Sequence, residues 1–435
     1  MGQGENFVWG IRRVALEQSL FVGFLMVVAT VEFIKMGLIM MLLPSLFVGL
    51  NYSRLALGWV LSANLFADNL CKSATGWFVD REGPWPVLLF GCLVVLIGLL
   101  LLILGIYCQI YLIVIAAALI GIGGSPTWPA AIAGTIKIKG EDKRAATISL
   151  ISIVWMIGGG LGVFLVGLLI GEHSQKFVKN SALIFEQVYV KAFGLLLTVA
   201  ALALLISVWG WRLGKKVEQE KRHSLPGKQQ SRLAVVFKQI KQVGSLVPGM
   251  FFQTFSLGML LPNLLPFTVQ KLGFTELQYY LLLITGGAVA VVFMNPVGRL
   301  IDRLGARVFL VGGFFLAALT LMVMVSYGNV ATIWFIVAFL GLSYALIQPA
   351  WNGILAAAIP PEQRGVLMGL FMSLEGLGFA AGPLFGGWLG EAQLAGWWGQ
   401  LGAGLPFLVS AVFLVIMAIV YLVHPLPRYE NKIEG

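Results

Sequence analysis

The chain has 435 residues, of which 59% are hydrophobic and only 11% charged, against roughly 25% charged in an ordinary soluble domain. That composition excludes a soluble globular fold and marks an integral membrane protein. A net charge of +10 would suit a nucleic-acid binder, but the basic residues gather on one side of the predicted spans, which excludes that partner.

Apolar runs predict twelve spans, at about 20–48, 56–79, 85–107, 110–138, 145–171, 188–211, 245–270, 278–301, 307–327, 330–359, 364–389 and 403–424. Nearly all reach the roughly 20 residues that cross a hydrocarbon core of about 30 Å. The first run is too long for a cleavable signal peptide and is expected to be its own insertion signal.

Glu32 and Lys35 lie inside the first span, Asp68 and Lys72 inside the second. Each costs roughly 2.5 to 3.5 kcal/mol at a helix centre on insertion scales, so intramembrane ionisable groups default to function. Lys35 follows Glu32 at i,i+3 and Lys72 follows Asp68 at i,i+4, so each pair shares a helix face. The bland alternative is a closed ion-pair network welding the two helices. The functional one is a desolvated acid beside a lysine, trading its proton against substrate.

Cys71, Cys92 and Cys108 show no metal spacing and read as buried small hydrophobes. In the fourth span Trp128 sits between Pro126 and Pro129, which should break the helical ladder, and Trp155 lies in the fifth. Tryptophans usually mark the membrane interface. These two lie inward from their span ends, where an indole face with a polar N–H suits a sugar ring.

The chain repeats itself. At an offset of 222, Pro44 meets Pro266, Gly76 meets Gly298, Asp80 meets Asp302 and Arg81 meets Arg303. After a slip to 220, Gly121, Pro129, Arg144, Gly158 and Gly162 meet Gly341, Pro349, Arg364, Gly378 and Gly382. Six spans separate equivalent positions, so both copies share one orientation. The expected fold is all-α, with twelve transmembrane helices in two parallel-oriented six-helix bundles: residues 1–211 and 245–435, joined by a charged linker, 212–244, with Pro226 and Gly227 as breakers.

Apart from Lys35 and Lys72, all of the 29 Lys and Arg lie on the side of the N-terminus except Arg54, Lys176, Lys179, Lys191 and Lys271. Both termini are therefore expected in the cytoplasm. Under the repeat, Glu32, Lys35, Asp68 and Lys72 correspond to Thr254, Leu257, Ala290 and Met294. The interior should then be polar on the first half and largely apolar on the second, where Asn263, Gln348 and Asn352 are isolated polar groups. Such a chamber suits an amphiphile. Glu375, at the repeat position of Trp155, is a third candidate proton carrier beside Glu32 and Asp68; the alternative is a glutamate hydrogen-bonded within its own helix.

Gly298, Asp302, Arg303, Gly305 and Arg307, repeated as Gly76, Asp80, Arg81 and Gly83, resemble the loop motif of the major facilitator superfamily; the first copy departs at Trp85, where a basic residue is usual. A second motif of that family is complete as Gly378, Gly382, Pro383, Gly386 and Gly387. In the fifth span Gly158, Gly162 and Gly167 remain, while Val163 and Val166 replace proline and glycine, so antiport is supported in part. The resemblance implies gating through Asp80, Arg81, Arg144, Asp302, Arg303 and Arg364, and helix sliding at Gly158, Gly162, Gly378, Gly382 and Pro383.

Within that superfamily, Glu32, Lys35, Asp68, Trp128, Trp155, the Glu141-Asp142-Lys143-Arg144 run and the Pro349-Ala350-Trp351-Asn352 run resemble the anchor-glycolipid flippases of lipoteichoic-acid synthesis in Gram-positive bacteria. The resemblance implies a proton-coupled carrier moving a diglucosyl-diacylglycerol from the inner to the outer leaflet of the bacterial cytoplasmic membrane. Protons and an amphiphilic lipid are its partners, it needs no cofactor, and it is a monomer. Glu32, Lys35, Asp68, Lys72, Trp128, Trp155, Gln348 and Asn352 are the expected substrate contacts. Lys35 stands for an arginine, and Lys72, Asp80 and Glu375 depart from the family pattern. A drug or small-metabolite antiporter of the same fold is the alternative. An enzyme is not expected, because no acid, base and nucleophile converge, and His173, His223 and His424 lie far apart.

Overall fold

The structure, a computed structural model, describes residues 2–139, 144–171, 181–220, 246–327, 329, 331–358, 364–392 and 404–423. Among them the chain forms twelve helices and no strand. Helix α1 runs Gly2–Met36, widens into a π-helical turn at Gly37–Leu42 and resumes over Leu43–Gly49. Pro44 has no N–H for the carbonyl one turn back, and the ladder shifts register just ahead of it. Helix α7 repeats the device: Val247–Pro266 passes into a π-helical turn at Phe267–Lys271 directly after Pro266.

The remaining helices are α2 (Arg54–Glu82), α3 (Pro84–Tyr107), α4 in two pieces (Ile110–Gly124 and Thr127–Lys139), α5 (Arg144–Gly171), α6 (Ser181–Glu220), α8 (Glu276–Leu304), α9 (Ala306–Tyr327), α10 (Ile333–Ala358), α11 (Arg364–Glu391) and α12 (Leu405–Val423). Among the described residues ten helices are long and apolar enough to cross a membrane, α2 and α11 being the two others. In α2 the polar run Asn64, Asp68, Asn69 and Lys72 lowers the hydropathy.

Several expectations change. Helix α6 does not stop at 211 but continues to Glu220, because Lys215, Lys216, Glu218 and Glu220 are good helix formers that tolerate water; residues 221–244 of the expected linker lie outside the described residues. In α4 the break falls at Ser125 and Pro126 alone. Pro129 sits in the first turn of Thr127–Lys139, where no helical N–H is needed. Cys92 is buried, but Cys71 is half-buried and Cys108, capping the end of α3, is exposed.

The chain divides into two compact units, one of Met1–Leu42, Phe66–Leu169 and Asn180–Ser231, the other of Leu43–Leu65, Ile170–Lys179 and Arg232–Gly435. The segment Leu43–Leu65, expected in the first bundle, therefore packs in unit two. There Ser62 Oγ accepts the Leu384 N–H at 3.1 Å, and Gly58 and Gly387 lie so close to the carbonyls of Pro383 and Arg54 that a side chain at either would strike backbone.

Each unit carries the same glycine seam. In unit one Gly158 and Gly162 of α5 press on the carbonyls of Ala29 and Phe33 of α1; in unit two Gly378 and Gly382 of α11 press on those of Phe251 and Phe255 of α7. These contacts coincide under the offsets of 222 and 220, so the sequence repeat is a repeat of packing. Small residues let the backbones touch, which gives van der Waals contact where no hydrophobic force drives helices together.

The departure at Trp85 also has a cause. Its counterpart Arg307 donates from Nε to the Tyr421 carbonyl at 3.0 Å and from Nη2 to that of Leu422, capping the last turn of α12. Helix α6 runs on past the equivalent level, so its carbonyls are already paired. Trp85 instead stacks on Phe24 with centroids 4.1 Å apart and fills the space over Gly210 and Gly214.

Candidate functional site

The four intramembrane charges meet inside unit one. Lys35 Nζ lies 3.3 Å from Glu32 Oε1 and 3.1 Å from Asp68 Oδ2. Lys72 Nζ lies 3.1 Å from the same Asp68 oxygen and donates to Asn69 Oδ1 at 2.9 Å. Glu32, Lys35 and Asp68 are 5%, 7% and 3% exposed, whereas Lys72 is half-buried. The i,i+3 and i,i+4 spacings set each pair on one face, and Lys35 reaches from α1 across to α2. Gly124 of α4 makes room for its chain: a methyl group there would lie 3.0 Å from Lys35 Cδ.

Two positive and two negative charges balance, yet the network is not closed. Among the described residues Glu32 Oε2, Asp68 Oδ1 and the Trp128 indole nitrogen are buried and have no hydrogen-bond partner. A buried polar atom left so costs about 1–3 kcal/mol. The set offers two acceptors and a donor, which is what a hydroxyl-bearing ligand satisfies.

Trp128 and Trp155, both half-buried, pack with Leu25, Val28, Ala131 and Ile151. Val28 is one turn before Glu32, so the indole pair borders the charged cluster. The α4 break at Pro126 starts a new helical piece, and Trp128 lies in its first turn.

The remaining expected residues distribute as follows. Gln348 is half-buried and Asn352 exposed, both on α10 of unit two. Asn263 is fully buried and donates to the carbonyls of Met259 at 3.0 Å and Gly386 at 2.8 Å, a clamp on the glycine seam. Glu375 on α11 has Trp351 and Tyr344 as neighbours, and its carbonyl accepts from Thr254 at 2.7 Å. Asp80 and Arg303 are exposed. Arg81 pairs with the adjacent Glu82 at 3.3 Å and lies 5.4 Å over the Trp77 ring. The side chains of Arg144, Asp302 and Arg364, and the three histidines, lie outside the described residues. No cluster of His, Cys, Asp and Glu among the described residues could hold a metal ion.

Sequence reasoning missed a polar network in unit two where the α1–α2 turn packs. Arg54 donates to the Gly390 carbonyl at 3.0 Å and to Gln270 Oε1 at 3.1 Å, and the Leu55 N–H donates to Glu391 at 3.1 Å. Nearby, Glu276 accepts from Ser45 Oγ at 3.0 Å and from the Tyr280 hydroxyl at 2.9 Å. The one available signal was Arg54, a cation on the side where cations are scarce. A cavity of about 150 Å³ in unit one, lined by Glu17, Trp85, Lys137 and Trp211 among others, shares no residue with the Glu32 cluster.

The profile of the Major Facilitator Superfamily matches residues 25–247 and again 246–435. The chain is 26% identical over 364 residues to the proton-coupled antiporter flippase LtaA of Staphylococcus saprophyticus, covering 83% of each protein. It is 25% identical over 376 residues to LtaA of Staphylococcus haemolyticus, covering 86% of this chain and 85% of that one. Among solved structures it resembles a bacterial homologue of the human lysosomal transporter Spinster, with TM-score 0.72 and 15% identity over 94% of this chain and 96% of that one. The nucleoside transporter NupG superimposes with TM-score 0.68 and 14% identity over 94% and 98%. With both halves matched in tandem, this chain belongs to the Major Facilitator Superfamily.

Proposed function

We propose that the protein is a proton-coupled flippase that carries an anchor glycolipid from the inner to the outer leaflet of a bacterial cytoplasmic membrane, with both termini in the cytoplasm. The observation that carries this reading is the open valence of the unit-one cluster: Glu32 Oε2, Asp68 Oδ1 and the Trp128 indole N–H are buried together with charges and have no partner among the described residues. Sugar hydroxyls donate to the two oxygens and accept from the indole, while the faces of Trp128 and Trp155 cover the ring. The relatives' name, proton-coupled antiporter flippase, supports the same reading.

Lys35 ties proton and substrate together. Ionised, Glu32 and Asp68 share its ammonium; a proton arriving on either removes one of its two counter-charges and frees that carboxyl to turn toward substrate or away from it. Lys72 shares the same Asp68 oxygen with Lys35. Acyl chains run along the more apolar helices of the second half, near Gln348 and Asn352, with Glu375 as a further proton carrier. Alternating access proceeds by rocking of the two halves, with helix sliding at Gly158, Gly162, Gly378, Gly382 and Pro383 within each half and the helix ends at Asp80, Arg81, Arg144, Asp302, Arg303 and Arg364 as gates.

The test is leaflet translocation of a fluorescent diglucosyl lipid by the purified monomer in liposomes. Glu32→Gln, Asp68→Asn and Trp128→Phe should each abolish or strongly slow it. Unchanged translocation in all three rejects the headgroup site, and uptake of a compact cation in place of the lipid establishes a small-molecule antiporter instead.

A further inference from the structure

Arg54 and Glu276 occupy the same place in the two sequence copies. They coincide at the offset of 222, and each opens the second helix of its copy. Each also follows a hydroxyl cap: Ser53 Oγ accepts the Ala56 N–H at 3.0 Å, and Thr275 Oγ1 accepts that of Gln278 at 3.2 Å. Their charges are opposite and their bonds cross over. Arg54 reaches the second copy, at Gln270 in the π-helical turn after α7 and at the Gly390 carbonyl of α11. Glu276 reaches the first copy and accepts from Ser45 Oγ, in the last turns of α1, at 3.0 Å. The Leu55 N–H adds a bond to Glu391. All of these contacts lie inside unit two, because Leu43–Leu65 belongs to it.

We propose that Arg54 and Glu276 form a reciprocal latch, which holds the helical hairpin Leu43–Leu65 on the second copy and releases it once in each transport cycle. The chain's own path carries the inference. The hairpin is rooted at both ends in unit one, at Leu42 and at Phe66, and Lys35 of α1 clasps Asp68 of α2 beside those roots at 3.1 Å. One hairpin thus has the charged cluster at its stem and the latch at its tip. The release step rests on the transport reading above: when the halves rock, a segment rooted in one cannot stay docked on the other.

The contact is built to come apart. Among the described residues, the large apolar core of unit two around Phe314, Trp351 and Tyr421 includes none from Leu43–Leu65. Gly58 and Gly387 instead bring bare backbones together, at the carbonyls of Pro383 and Arg54, with no side chain interlocked. Arg54 is half-buried while Gln270 and Glu391 are exposed, so water takes over their bonds when the hairpin leaves and little is lost. Charge makes the latch firm while it is closed, since bonds to a guanidinium or a carboxylate are about twice as strong as neutral ones. The root also has a hinge. The π-helical turn Gly37–Leu42, just ahead of Pro44, has already given up the α-helical register.

The test reads the hairpin directly and needs no lipid substrate. In full-length, cysteine-free protein in lipid nanodiscs, spin labels at Tyr52→Cys on the hairpin tip and Asn329→Cys elsewhere in unit two report their separation; both positions are exposed. Two distances should appear, one of them that of the docked hairpin. Arg54→Gln and Glu276→Gln, which remove the charges, should each raise the ratio of released to docked hairpin about fivefold, the scale of one charge-assisted hydrogen bond. A second labelled pair, Leu277→Cys with Asn329→Cys, should keep a single distance in every variant, which shows that unit two stays folded. One Tyr52-to-Asn329 distance that neither change alters overturns the latch, whatever the protein carries. In liposomes, joining Tyr52→Cys to Lys271→Cys with a short bismaleimide that has a reducible centre should stop lipid translocation, and reduction should restore it. Full translocation while linked overturns the release step. Two distances in a protein that moves no lipid leave the latch standing and reject the flippase reading.

Discussion

The ammonium of Lys35, on α1, lies 3.1 Å from Asp68 Oδ2, on α2, and also holds Glu32 at 3.3 Å. One buried cation therefore fastens two helices and two acids. Replacing it by Lys35→Met leaves two carboxylates facing each other with only Lys72 nearby. Breaking a buried ion network from one side costs about 3–5 kcal/mol. Thermal unfolding in detergent should show a large drop for Lys35→Met and a much smaller one for Lys35→Arg, which keeps the charge. Equal drops would place the contribution in packing rather than charge.

The indole nitrogen of Trp128 is buried without a hydrogen-bond partner among the described residues, while its ring packs on Val28 and Ala131. Trp128→Phe keeps most of the packing and removes only the donor. Translocation of a sugar-bearing lipid should fall about tenfold, the scale of one hydrogen bond in a buried site, with stability little changed. Translocation of a lipid lacking the sugar should be insensitive. If both lipids respond alike, the indole does not read the headgroup.

Gly160 and Gly162 form a matched pair on α5. A methyl group at Gly160 meets nothing, whereas one at Gly162 collides with the Phe33 carbonyl. Gly162→Ala should cost about 1–3 kcal/mol through forced helix separation, and Gly160→Ala should be neutral or stabilising by up to about 1 kcal/mol. Gly382→Ala, at the repeat position against Phe255, should behave as Gly162→Ala does. Unfolding temperatures of the three variants decide it.

Arg54 spans Gly390 and Gln270 with two guanidinium nitrogens. Arg54→Lys retains charge but cannot bridge both acceptors in that geometry. In a cysteine-free background with Ser62→Cys, thiol labelling should speed up about tenfold on this change, since Ser62 is buried against Leu384 in the same packing. No change in rate would mean that Arg54 does not hold the α1–α2 turn in place.

Much of the fold was legible because membrane insertion writes itself into the sequence as long apolar runs, and because glycines that touch backbone cannot drift. The offsets that pair Gly158 with Gly378 in sequence also pair the residues they touch, Ala29 and Phe251. The charged cluster was legible for the same reason: Glu32, Lys35, Asp68 and Lys72 are anomalous where they stand. Other features left no such mark. The π-helical turns at Gly37–Leu42 and Phe267–Lys271 follow from proline chemistry that periodicity does not register. Gln253 and Ser256 are ordinary uncharged residues in a phenylalanine-rich helix, and nothing in the sequence marks their burial. Trp85 reads as a broken motif until the helix it covers is seen to continue.

We propose that the Glu32–Lys35–Asp68 cluster couples proton movement to passage of a sugar-headed lipid. The direct measurement is leaflet translocation of a diglucosyl-diacylglycerol probe in liposomes, with and without an imposed proton gradient, for the wild type and for Asp68→Asn. The gradient should accelerate translocation by the wild type, and Asp68→Asn should abolish the acceleration. A wild-type rate indifferent to the gradient, or an Asp68→Asn variant that responds to it as fully as the wild type, would contradict it.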